Sequence, residues 1–313
     1  MFATYGSVLG VASAQICVIH NPAAARGRAA RSLEALRRRL GSGADFRASE
    51  YPGHAQSIAR LAAAEGFAVV AAAGGDGTVH EVACGLLAAN RQDVRFGVIP
   101  LGSANDYAYS LKKSQSSCEA ARQTGRAVDV GVVRSGGGRD SFFVNSLGLG
   151  FSAAVTVESR RIRRLGGLAL YGLALLRALW GRYALPQMEI ALDDTIRRGP
   201  TLSFTLALAH REGSFVVAPH ALLDDGEFDY LLVGALPRWK VLRYLPTLAR
   251  GGDLPAAEPE ILRGRCRRAR VEAEQPLTVH VDGEFFCLPE NNVRHLEIEL
   301  LPRRLKVELM ELS

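Results

Sequence analysis

A glycine-rich turn around one carboxylate is the first feature of the sequence that could do chemistry. Residues 74–82 read GGDGTVHEV and directly follow the apolar run FAVVAAA at 67–73. Glycines leave room for another group against the main chain, so the N–H groups of such a turn can surround a phosphate. Asp76 could then hold a magnesium ion or its water beside that phosphate. The competing interpretation is a tight strand-to-helix turn without a ligand, because a short glycine motif alone is weak evidence.

A second candidate is the string VDGE at 281–284. Asp282 and Glu284 are separated by one glycine at a predicted strand end, which would direct both side chains to the same side. One carboxylate near another can have its pKa raised, and this suits a general base that receives the proton of a hydroxyl nucleophile. The competing interpretation is a pair of acidic residues in an exposed hairpin turn.

Length and composition are those of a globular protein with a sizeable core. The 313 residues predict two domains, and 48% hydrophobic with 22% charged residues is an ordinary composition. The five cysteines lack CxxC spacing, and Cys17 and Cys84 lie in apolar segments. These cysteines indicate reduced thiols in a cytoplasmic protein rather than a disulfide framework or a zinc site.

Two apolar segments bear on targeting and membrane insertion. The N-terminal MFATYGSVLGVASAQ ends in a small-x-small pattern but lacks a positively charged start, which argues against a signal peptide. The sequence leaves open whether residues 1–15 belong to the mature protein. The stretch LALYGLALLRALWG at 168–181 contains Arg177 and is shorter than the ~20 residues of a spanning helix. We therefore expect no membrane span.

Arginine clusters give the chain a net charge of +6 and a pI near 9.2. They lie at 26–39, 160–164 and 263–270. Such patches attract nucleic acid, anionic membranes or phosphorylated ligands, or they are simply solvated faces. No RNP string and no zinc-finger spacing accompanies them, so the sequence predicts no nucleic-acid partner.

The first part of the chain alternates short apolar strands with amphipathic helices. Strands are predicted at 16–20, 67–73 and 96–100, and helices at 28–40, 57–66 and about 79–87. This order predicts a parallel sheet covered by helices, whose ligands bind beyond the carboxyl ends of the strands. Both GGDGT and PLGSAND, at 100–106, lie at such ends.

From about Val130 the pattern changes to apolar strands separated by turns. The strand-like segments include SFFVNSLGLGFSAAV, TLSFTLALAH, FDYLLVGAL and LTVHVDGEFF, and helices are predicted at about 157–183 and 239–250. We predict an α/β domain at 15–130 and a mainly antiparallel, β-rich domain at 131–300, which the family resemblance given next implies to be the nucleotide-binding domain and the lipid-acceptor domain. Residues 301–313 are predicted to pack back on the first domain.

Six blocks of sequence together resemble the diacylglycerol kinase catalytic-domain family, which includes bacterial lipid kinases and the sphingosine and ceramide kinases. They are NPAAARGRA (21–29), ASEYPGHA (48–55), GGDGTVHEV, PLGSANDYA (100–108), ALLDDGEFD (221–229) and VDGE. GGDGT also occurs in NAD kinases and phosphofructokinase-like proteins, so the other blocks carry the distinction. The resemblance implies an α/β fold with a Rossmann-like nucleotide-binding domain, a mainly antiparallel β-sandwich domain, and an active site in the cleft between them.

The resemblance also implies roles for individual residues. Glu284 would be the catalytic base, with Asp282 as orienter or co-base and Asp76 beside the phosphates. Magnesium would bind Asp225 and the backbone carbonyls of Leu222 and Glu227. ATP, the phosphoryl donor, would contact Asn21, Pro22, Ala23, Ala24, Ala25, Ser49, Gly74, Gly75, Asp76, Gly77, Thr78, Val79, His80, Glu81 and Ser103.

Other residues near these blocks receive structural interpretations or mark departures from the family. His54 and His80 are predicted to hydrogen-bond at helix starts, His280 and His295 to be strand residues, and Asn105 and Asp106 to cap the following helix. The departures are Ala24 and Ala25, Ser152 and Ala154, and the string HREG at 210–213. Because the last two groups lie in the second domain, they bear on the identity of the acceptor.

The sequence therefore predicts an ATP-dependent, magnesium-requiring kinase that transfers the γ-phosphoryl group to a lipid hydroxyl. Diacylglycerol-like and ceramide or sphingoid acceptors are both open. The basic and apolar segments within 157–183 suit peripheral contact with an anionic membrane on its cytoplasmic face, but the competing interpretation, a core helix with a solvated basic start, is slightly favoured.

Two other functions remain as alternatives. One is an NAD-kinase-like enzyme with a soluble acceptor, and the other is a nucleotide-binding regulator without turnover. The oligomeric state is also left open, a homodimer included.

Overall fold

The first part of the chain forms parallel strands that alternate with helices. The computed structural model of the protein describes residues 15–22, 29–115, 125–162, 165–255 and 257–310. The elements of this part are β1 (Ile16–His20), α1 (Ala29–Leu40), β2 (Ala44–Ala48), α2 (His54–Glu65), β3 (Val69–Gly74), α3 (Asp76–Ala89), β4 (Arg95–Pro100) and α4 (Asp106–Gln115).

The rest of the chain is mainly strands, with three further helices among the described residues. Its elements are β5 (Arg126–Ser135), β6 (Asp140–Phe143), β7 (Ser146–Gly150), α5 (Phe151–Arg160), α6 (Gly167–Gly181), β8 (Gln187–Leu192), β9 (Thr195–Pro200), β10 (Ser203–Ala207), β11 (Arg211–Glu212), β12 (Phe215–Val216), β13 (Phe228–Val233), α7 (Arg238–Arg250), β14 (Ile261–Cys266), β15 (Arg268–Ala273), β16 (Val279–Val281), β17 (Glu284–Cys287) and β18 (His295–Leu309).

Parallel pairing brings the candidate turns to one edge of a sheet. β3 lies between β1 and β4, with Val69 opposite both Ile16 and Arg95. Every residue of β3 is buried, and a parallel strand buried on both faces has a continuous apolar sequence rather than an alternating one. The carboxyl ends of these strands therefore place the turns after His20, Gly74 and Pro100 side by side.

β18 joins the two parts of the chain. It pairs in parallel with β4, Val307 opposite Phe96, and antiparallel with both β5 and β15. The large sheet consequently has the order β2-β1-β3-β4-β18-β15-β8-β9, with β5 also on β18 and β6 on β5. The predicted domain boundary at residue 130 falls inside β5.

A second sheet completes the β-sandwich. Its order is β14-β13-β10-β7-β16-β17, and its strand pairs are antiparallel. One face packs on the large sheet through buried residues such as Phe143, Leu147 and Val271. The helices α5, α6 and α7 cover the other face, where Phe151, Leu179 and others form a separate core. The predicted fold class, an α/β domain plus a mainly antiparallel sandwich, is confirmed.

Several predicted boundaries differ from the structure. α3 begins at Asp76 rather than near Val79, so the carboxylate of the glycine turn lies in the first helical turn. The predicted strand SFFVNSLGLGFSAAV ends at Gly150, whose φ of +71° turns the chain into α5. The single helix predicted at 157–183 is wrong, because α5 ends at Arg160 and α6 begins at Gly167. Within the described parts of the chain, no helix combines the length and apolarity needed to cross a bilayer.

Candidate active site

A polar cleft lies at the carboxyl ends of the parallel strands. Its walls come from the segment after β2, the glycine turn before α3, the turn after β4 and the start of β17. The lining residues include Asn21, Ser49, Glu50, Tyr51, Gly75, Gly77, Thr78, Glu81, Gly102, Ser103, Arg160 and Glu284. Seven of the residues predicted to bind the nucleotide line this cleft, namely Asn21, Ser49, Gly75, Gly77, Thr78, Glu81 and Ser103, whereas Gly74, Asp76, Val79 and His80 do not.

The glycines of the cleft allow two turns to touch. A Cβ built on Gly102 would lie 2.4 Å from the Cα of Gly75, and a Cβ on Gly74 would lie 2.4 Å from the Thr78 hydroxyl oxygen. On Gly77, a Cβ would lie 3.0 Å from Oε1 of Glu284. The glycines therefore serve close packing within the protein, and they keep the cleft floor free of side chains.

Asp76 lies beneath the cleft and binds the start of a neighbouring helix. The Tyr107 N–H of α4 donates to Asp76 Oδ1 at 3.4 Å. Burial raises the pKa of Asp76, and the charge of Asp282 acts in the same direction, although the N–H groups of residues 105–107 oppose the shift. A carboxylate with a raised pKa is better suited to accept a proton near neutral pH.

A long apolar cavity occupies the second part of the molecule. It lies between the small sheet and the helices α5, α6 and α7, and its volume is about 170 Å³. Its apolar lining includes Phe151, Val155, Tyr171, Leu175, Leu202, Phe215, Leu231, Val233, Val241, Tyr244 and Leu248. α7 has no fully buried residue, and its half-buried apolar residues pack against the core that borders the cavity.

One end of this apolar cavity is polar and reaches the cleft. Asp76, Asp106, Asn145, Glu212, His280 and Asp282 line that end. Two groups of sequence neighbours mark the place where the cleft and the cavity meet. Gly75 and Gly77 line the cleft while Asp76 lines the cavity, and Glu284 lines the cleft while Gly283 lines the cavity. A group bound in the cleft and a group bound in the cavity would thus meet at Asp76.

The expectation that Asp282 and Glu284 project to the same side is wrong. Asp282 has a φ of +51° and Gly283 one of +84°, so they form the turn of the β16–β17 hairpin. The Asp282 side chain points inward, where it accepts the N–H groups of Val144, Asn145 and Ser146 at 2.8–3.0 Å. Both carboxylate oxygens of Asp282 therefore accept hydrogen bonds from the backbone of residues 144–146.

His80 is the fourth partner of Asp282. Its Nδ1 lies 3.0 Å from Asp282 Oδ2, so α3 is joined to the hairpin through a buried pair. Burial alone would lower the pKa of His80, but Cys84 and the Asp282 carboxylate outweigh it, and the net shift is upward. The predicted helix-start role of His80 is thus replaced by a long-range ion pair, whereas His54 does accept the Glu50 N–H at the start of α2.

Glu284 faces the cleft and has a cationic partner. Arg160 Nη2 lies 2.5 Å from Glu284 Oε2 and also donates to the Gly283 carbonyl at 3.0 Å. The guanidinium lies over the ring of Phe285, 4.8 Å from its centroid. These contacts hold Glu284 above Gly77.

Several other predicted nucleotide residues have structural partners. Glu81 accepts the N–H groups of Gly53 and Ala55 with its two carboxylate oxygens, and so it fixes the start of α2. The Ser49 hydroxyl donates to the His20 carbonyl at 3.4 Å. Val79 lines the apolar cavity rather than the cleft. Pro22 is exposed, and Ala23, Ala24 and Ala25 lie outside the described residues.

Asn105 and Asp106 do not cap α4 as predicted. The Asn105 amide instead closes its own turn, accepting from the Gly102 N–H and donating to the Gly102 carbonyl. The Asp106 carboxylate accepts the Ser214 N–H at 3.1 Å. Burial, reinforced by the nearby charge of Asp76, raises the pKa of Asp106 to about 7.

The segment predicted to bind magnesium lies apart from both the cleft and the cavity. Asp225 and Asp229 each have one buried carboxylate oxygen without a hydrogen-bond partner. Arg265 Nη1 lies 3.4 Å from Asp225, and burial raises the pKa of Asp225. Within the described residues no three His, Cys, Asp or Glu side chains are grouped to hold a metal, and no contact found there joins Asp225 to Asp76.

The sequence interpretation missed the polar residues at the cavity end. Glu212, His280 and Ser152 form one hydrogen-bonded cluster, with Ser152 Oγ 2.6 Å from Glu212 Oε1 and 2.7 Å from His280 Nε2. They come from three distant parts of the chain. The available signal was the departure of Ser152 and HREG from the family pattern, which had pointed to the acceptor side.

Comparison with known proteins identifies the family. A model of the diacylglycerol kinase catalytic domain matches residues 15–134, and a model of the YegS C-terminal NAD kinase beta sandwich-like domain matches residues 145–309. A "Probable lipid kinase YegS-like" of Xanthomonas euvesicatoria is 32% identical over 283 residues, which cover 87% of this chain and 88% of that protein. The diacylglycerol kinase of Bacillus subtilis is 28% identical over 298 residues, 90% of this chain and 94% of that protein.

A solved structure of a diacylglycerol kinase from Bacillus anthracis shows the same fold. The two align with a TM-score of 0.65 at 18% identity, over 94% of this chain and 96% of the other. The matches to both halves in order confirm the resemblance seen in the sequence blocks. The chain therefore belongs to the diacylglycerol kinase catalytic-domain family of lipid kinases.

Proposed function

We propose that the protein transfers the γ-phosphoryl group of ATP to the hydroxyl of a membrane lipid. The observation that carries this proposal is the junction at Asp76, where a polar cleft meets an apolar cavity. Phosphoryl transfer depends mainly on positioning the two reactants and on neutralising charge. Two compartments of opposite polarity, separated by a single carboxylate, suit that requirement.

The cleft is the proposed nucleotide site. Its floor of Gly75 and Gly77 lies at the beginning of α3, where a helix N-terminus favours a phosphate group. The hydroxyl groups of Ser49, Thr78 and Ser103 can form hydrogen bonds with the nucleotide, each contributing ~1 kcal/mol. Arg160 also lines the cleft and brings a positive charge to it.

The cavity is the proposed site of the lipid chain. Its lining is apolar over most of its length, which suits an acyl or alkyl chain. A lipid whose chain fills this space would place its hydroxyl at the polar end, next to Asp76. A soluble dinucleotide acceptor has no comparable apolar part, which is why we favour a lipid over NAD.

Asp76 is our assignment for the group that receives the hydroxyl proton. It lines the acceptor cavity itself, and its pKa is raised. Glu284, the base implied by family resemblance, faces the cleft and is held by Arg160 at 2.5 Å. Asp282 is assigned a positioning function, because its oxygens already accept three backbone N–H groups and contact His80.

Magnesium fits the segment that contains Asp225. A hard cation prefers oxygen ligands, and the unpartnered carboxylate oxygen of Asp225 with the carbonyls of Leu222 and Glu227 would supply them. Because Arg265 already lies 3.4 Å from Asp225, it would have to share this carboxylate with the ion.

Peripheral contact with an anionic membrane is part of the proposal. Trp180 at the end of α6 is 66% exposed and Trp239 at the start of α7 is 58% exposed. Arg177 and Arg243 are exposed on the same two helices. Aromatic side chains favour the membrane interface, and basic residues favour anionic lipid headgroups. Since both helices also line the cavity, this surface could receive a lipid from the cytoplasmic face of a bilayer.

Transfer of label from γ-labelled ATP tests the proposal. The full chain with magnesium is offered diacylglycerol, monoacylglycerol, ceramide, sphingosine and a polyprenol in micelles, with NAD as the soluble acceptor. We expect label in a lipid and its loss with Asp76→Asn. Label in NAD would favour an NAD-kinase-like activity, and ATP binding without transfer to any acceptor would favour a regulator.

A further inference from the structure

The guanidinium of Arg265 lies among three carboxylates at the start of β13. Its Nη1 is 3.4 Å from Asp225 Oδ2 and 3.7 Å from Glu227 Oε2, and its Nε is 3.8 Å from Asp229 Oδ1. Arg265 is directly opposite Asp229 in the antiparallel pair of β13 and β14, so the register of these strands places the positive charge there. All three distances exceed the roughly 2.7–3.2 Å of N–H···O hydrogen bonds. The attraction is therefore ionic.

The loop around Asp225 leaves one carboxylate oxygen for a cation. Asp225 Oδ1 accepts the Glu227 N–H at 3.2 Å, and Asp129 Oδ2 accepts the neighbouring Gly226 N–H at 2.7 Å. Asp225 Oδ2, in contrast, is buried without a hydrogen-bond partner. The oxygen available to a metal ion is thus the same oxygen that faces Arg265.

A guanidinium and a divalent cation repel each other when both lie against one oxygen. An arginine side chain keeps its proton in proteins, so Arg265 cannot lose its charge when an ion approaches. Its side chain is 43% exposed and lines an open surface groove together with Pro219 and Tyr230. Arg265 can therefore turn away from the carboxylates toward solvent, at the cost of its three ionic contacts.

We infer that Arg265 competes with magnesium for Asp225 Oδ2 and thereby sets the affinity of this segment for the ion. The inference rests on the magnesium site of the proposed lipid kinase function. Without the ion, the guanidinium offsets the negative charge of Asp225, Glu227 and Asp229. With the ion, the same guanidinium points to solvent. The site is consequently weaker than its carboxylates alone would make it, and its occupancy follows the magnesium concentration.

Metal binding to the full chain, without nucleotide or lipid, tests the inference. Mn²⁺ prefers the same oxygen ligands as Mg²⁺, and its free concentration is measured by electron paramagnetic resonance. Mg²⁺ is then used to displace it. We expect Arg265→Gln to lower the Kd of the site for both ions by ~10-fold, an ordinary size for the coupling between two binding events. Arg265→Lys keeps the charge and should keep the Kd close to the wild-type value.

Two further variants locate the effect. Arg263→Gln is the matched control, because it removes the same charge from the same strand, where Arg263 pairs with Asp253 at 2.9 Å. It should leave the Kd unchanged. Asp225→Asn, introduced into the Arg265→Gln protein, should abolish the gain in affinity.

Thermal unfolding provides a second measurement and shows whether each variant is folded. Without divalent ions, Arg265→Gln should unfold at a lower temperature than the wild type, because three carboxylates lose their cation. A given concentration of MgCl₂ should raise the Tm of this variant more than that of the wild type, since an ion that binds the folded state more tightly stabilises it more.

The outcomes separate this inference from the proposed function. An unchanged or higher Kd in Arg265→Gln overturns the competition, and so does an equal gain in Arg263→Gln, which would indicate a general effect of net charge. Tighter binding that survives Asp225→Asn places the ion elsewhere and also overturns it. Absence of Mn²⁺ binding in both the wild type and Arg265→Gln overturns the inference as well. In each case the transfer of label from ATP to a lipid decides the kinase proposal independently.

Discussion

The polar cleft and the apolar cavity meet at Asp76 but are built in different ways. Turns that follow neighbouring parallel strands form much of the cleft, and its glycines bring Gly75 and Gly102 into backbone contact. Side chains from the small sheet and from three helices form the cavity, and their sequence positions extend from Val144 to Ile261 on that side. The cleft therefore depends on a few contiguous motifs, whereas the cavity depends on many separate apolar residues.

This difference predicts how each region responds to substitution. One change in a cleft turn alters backbone geometry and should affect both stability and nucleotide binding. One change in the cavity removes or adds a single side chain among many, so its effect should be confined to the acceptor. Residues at the junction belong to both regions, so we expect substitutions there to have the largest effects on stability and catalysis.

Asp76→Asn should have the largest effect on catalysis. We expect the rate of transfer to a lipid to fall by ~10²–10⁴-fold, the usual contribution of a general base, with little change in ATP affinity. Steady-state kinetics and a fluorescent-nucleotide titration measure the two quantities. Glu284→Gln is the comparison, and a larger loss of kcat in that variant than in Asp76→Asn would assign the base to Glu284.

Asp282→Ala should have the largest effect on stability. It leaves His80 without its buried carboxylate partner, and the two side chains are only 10% and 3% exposed. Removing one member of a buried pair costs ~3–5 kcal/mol of unfolding free energy, as measured in urea. His80→Gln should lower the unfolding free energy by much less in the Asp282→Ala background than in the wild type. Additive losses would contradict a coupling between His80 and Asp282.

Gly102→Ala adds only one methyl group but should distort the cleft. The added methyl group would lie 2.4 Å from the Gly75 Cα, so the two turns must separate. We expect a loss of ~1–3 kcal/mol in unfolding free energy together with weaker ATP binding. Gly136→Ala is the matched control, because a Cβ there meets nothing within 4 Å. Equal behaviour of the two variants would show that the turn contact is unimportant.

Val155→Trp should narrow the cavity without altering the cleft. Val155 lies on α5, is half-buried and lines the cavity. We expect kcat/KM for a long-chain lipid to fall by ~10-fold, because the larger ring occupies part of the space for the chain. ATP affinity and the kinetics with a short-chain lipid are measured in parallel. Ile196→Trp, on the exposed edge strand β9, is the control. An equal loss with short and long chains would contradict the proposed role of the cavity.

Asp106 should make a smaller contribution to stability, which appears as a pH dependence of the unfolding free energy. Because the folded state raises its pKa to about 7, the folded protein binds this proton more tightly than the unfolded chain does. The resulting stability is fully present below pH ~4, the ordinary aspartate value, and is lost as the pH rises to about 7. Unfolding free energies of the wild type and Asp106→Asn from pH 4 to 8 measure it. The wild type should lose stability relative to the variant over this range, and parallel curves would contradict the raised pKa.

The first part of the fold was largely predictable, because its periodicity is local. Buried parallel strands such as VVAAAG have continuous apolar sequences, and glycine turns mark their ends. The second part was less predictable. Gly150 precedes a helix inside an apolar run whose sequence resembles a strand. In addition, β18 pairs with β4, which lies about 200 residues earlier in the chain.

The site was predictable only in part, for the same reason. Gly75, Gly77, Ser49, Ser103 and Glu284 do line one cleft, as the motifs had implied. The opposite directions of Asp282 and Glu284 depend on a positive φ at Asp282, and alternation along a strand does not reveal such a turn. Glu212, Ser152 and His280 are separated by more than fifty residues each, so spacing gives no information about their contact.

The sequence by itself determined the family, the order of most of the elements and the types of residue that line the cleft. Motifs and hydrophobic periodicity record interactions between residues that are close in the chain. Only the tertiary structure decided that Asp282 supports the backbone, that Asp76 separates the cleft from the cavity, and that Glu212, Ser152 and His280 form one hydrogen-bonded cluster. These properties depend on burial and on hydrogen bonds between distant segments, and both arise only when the two sheets and their helices pack together.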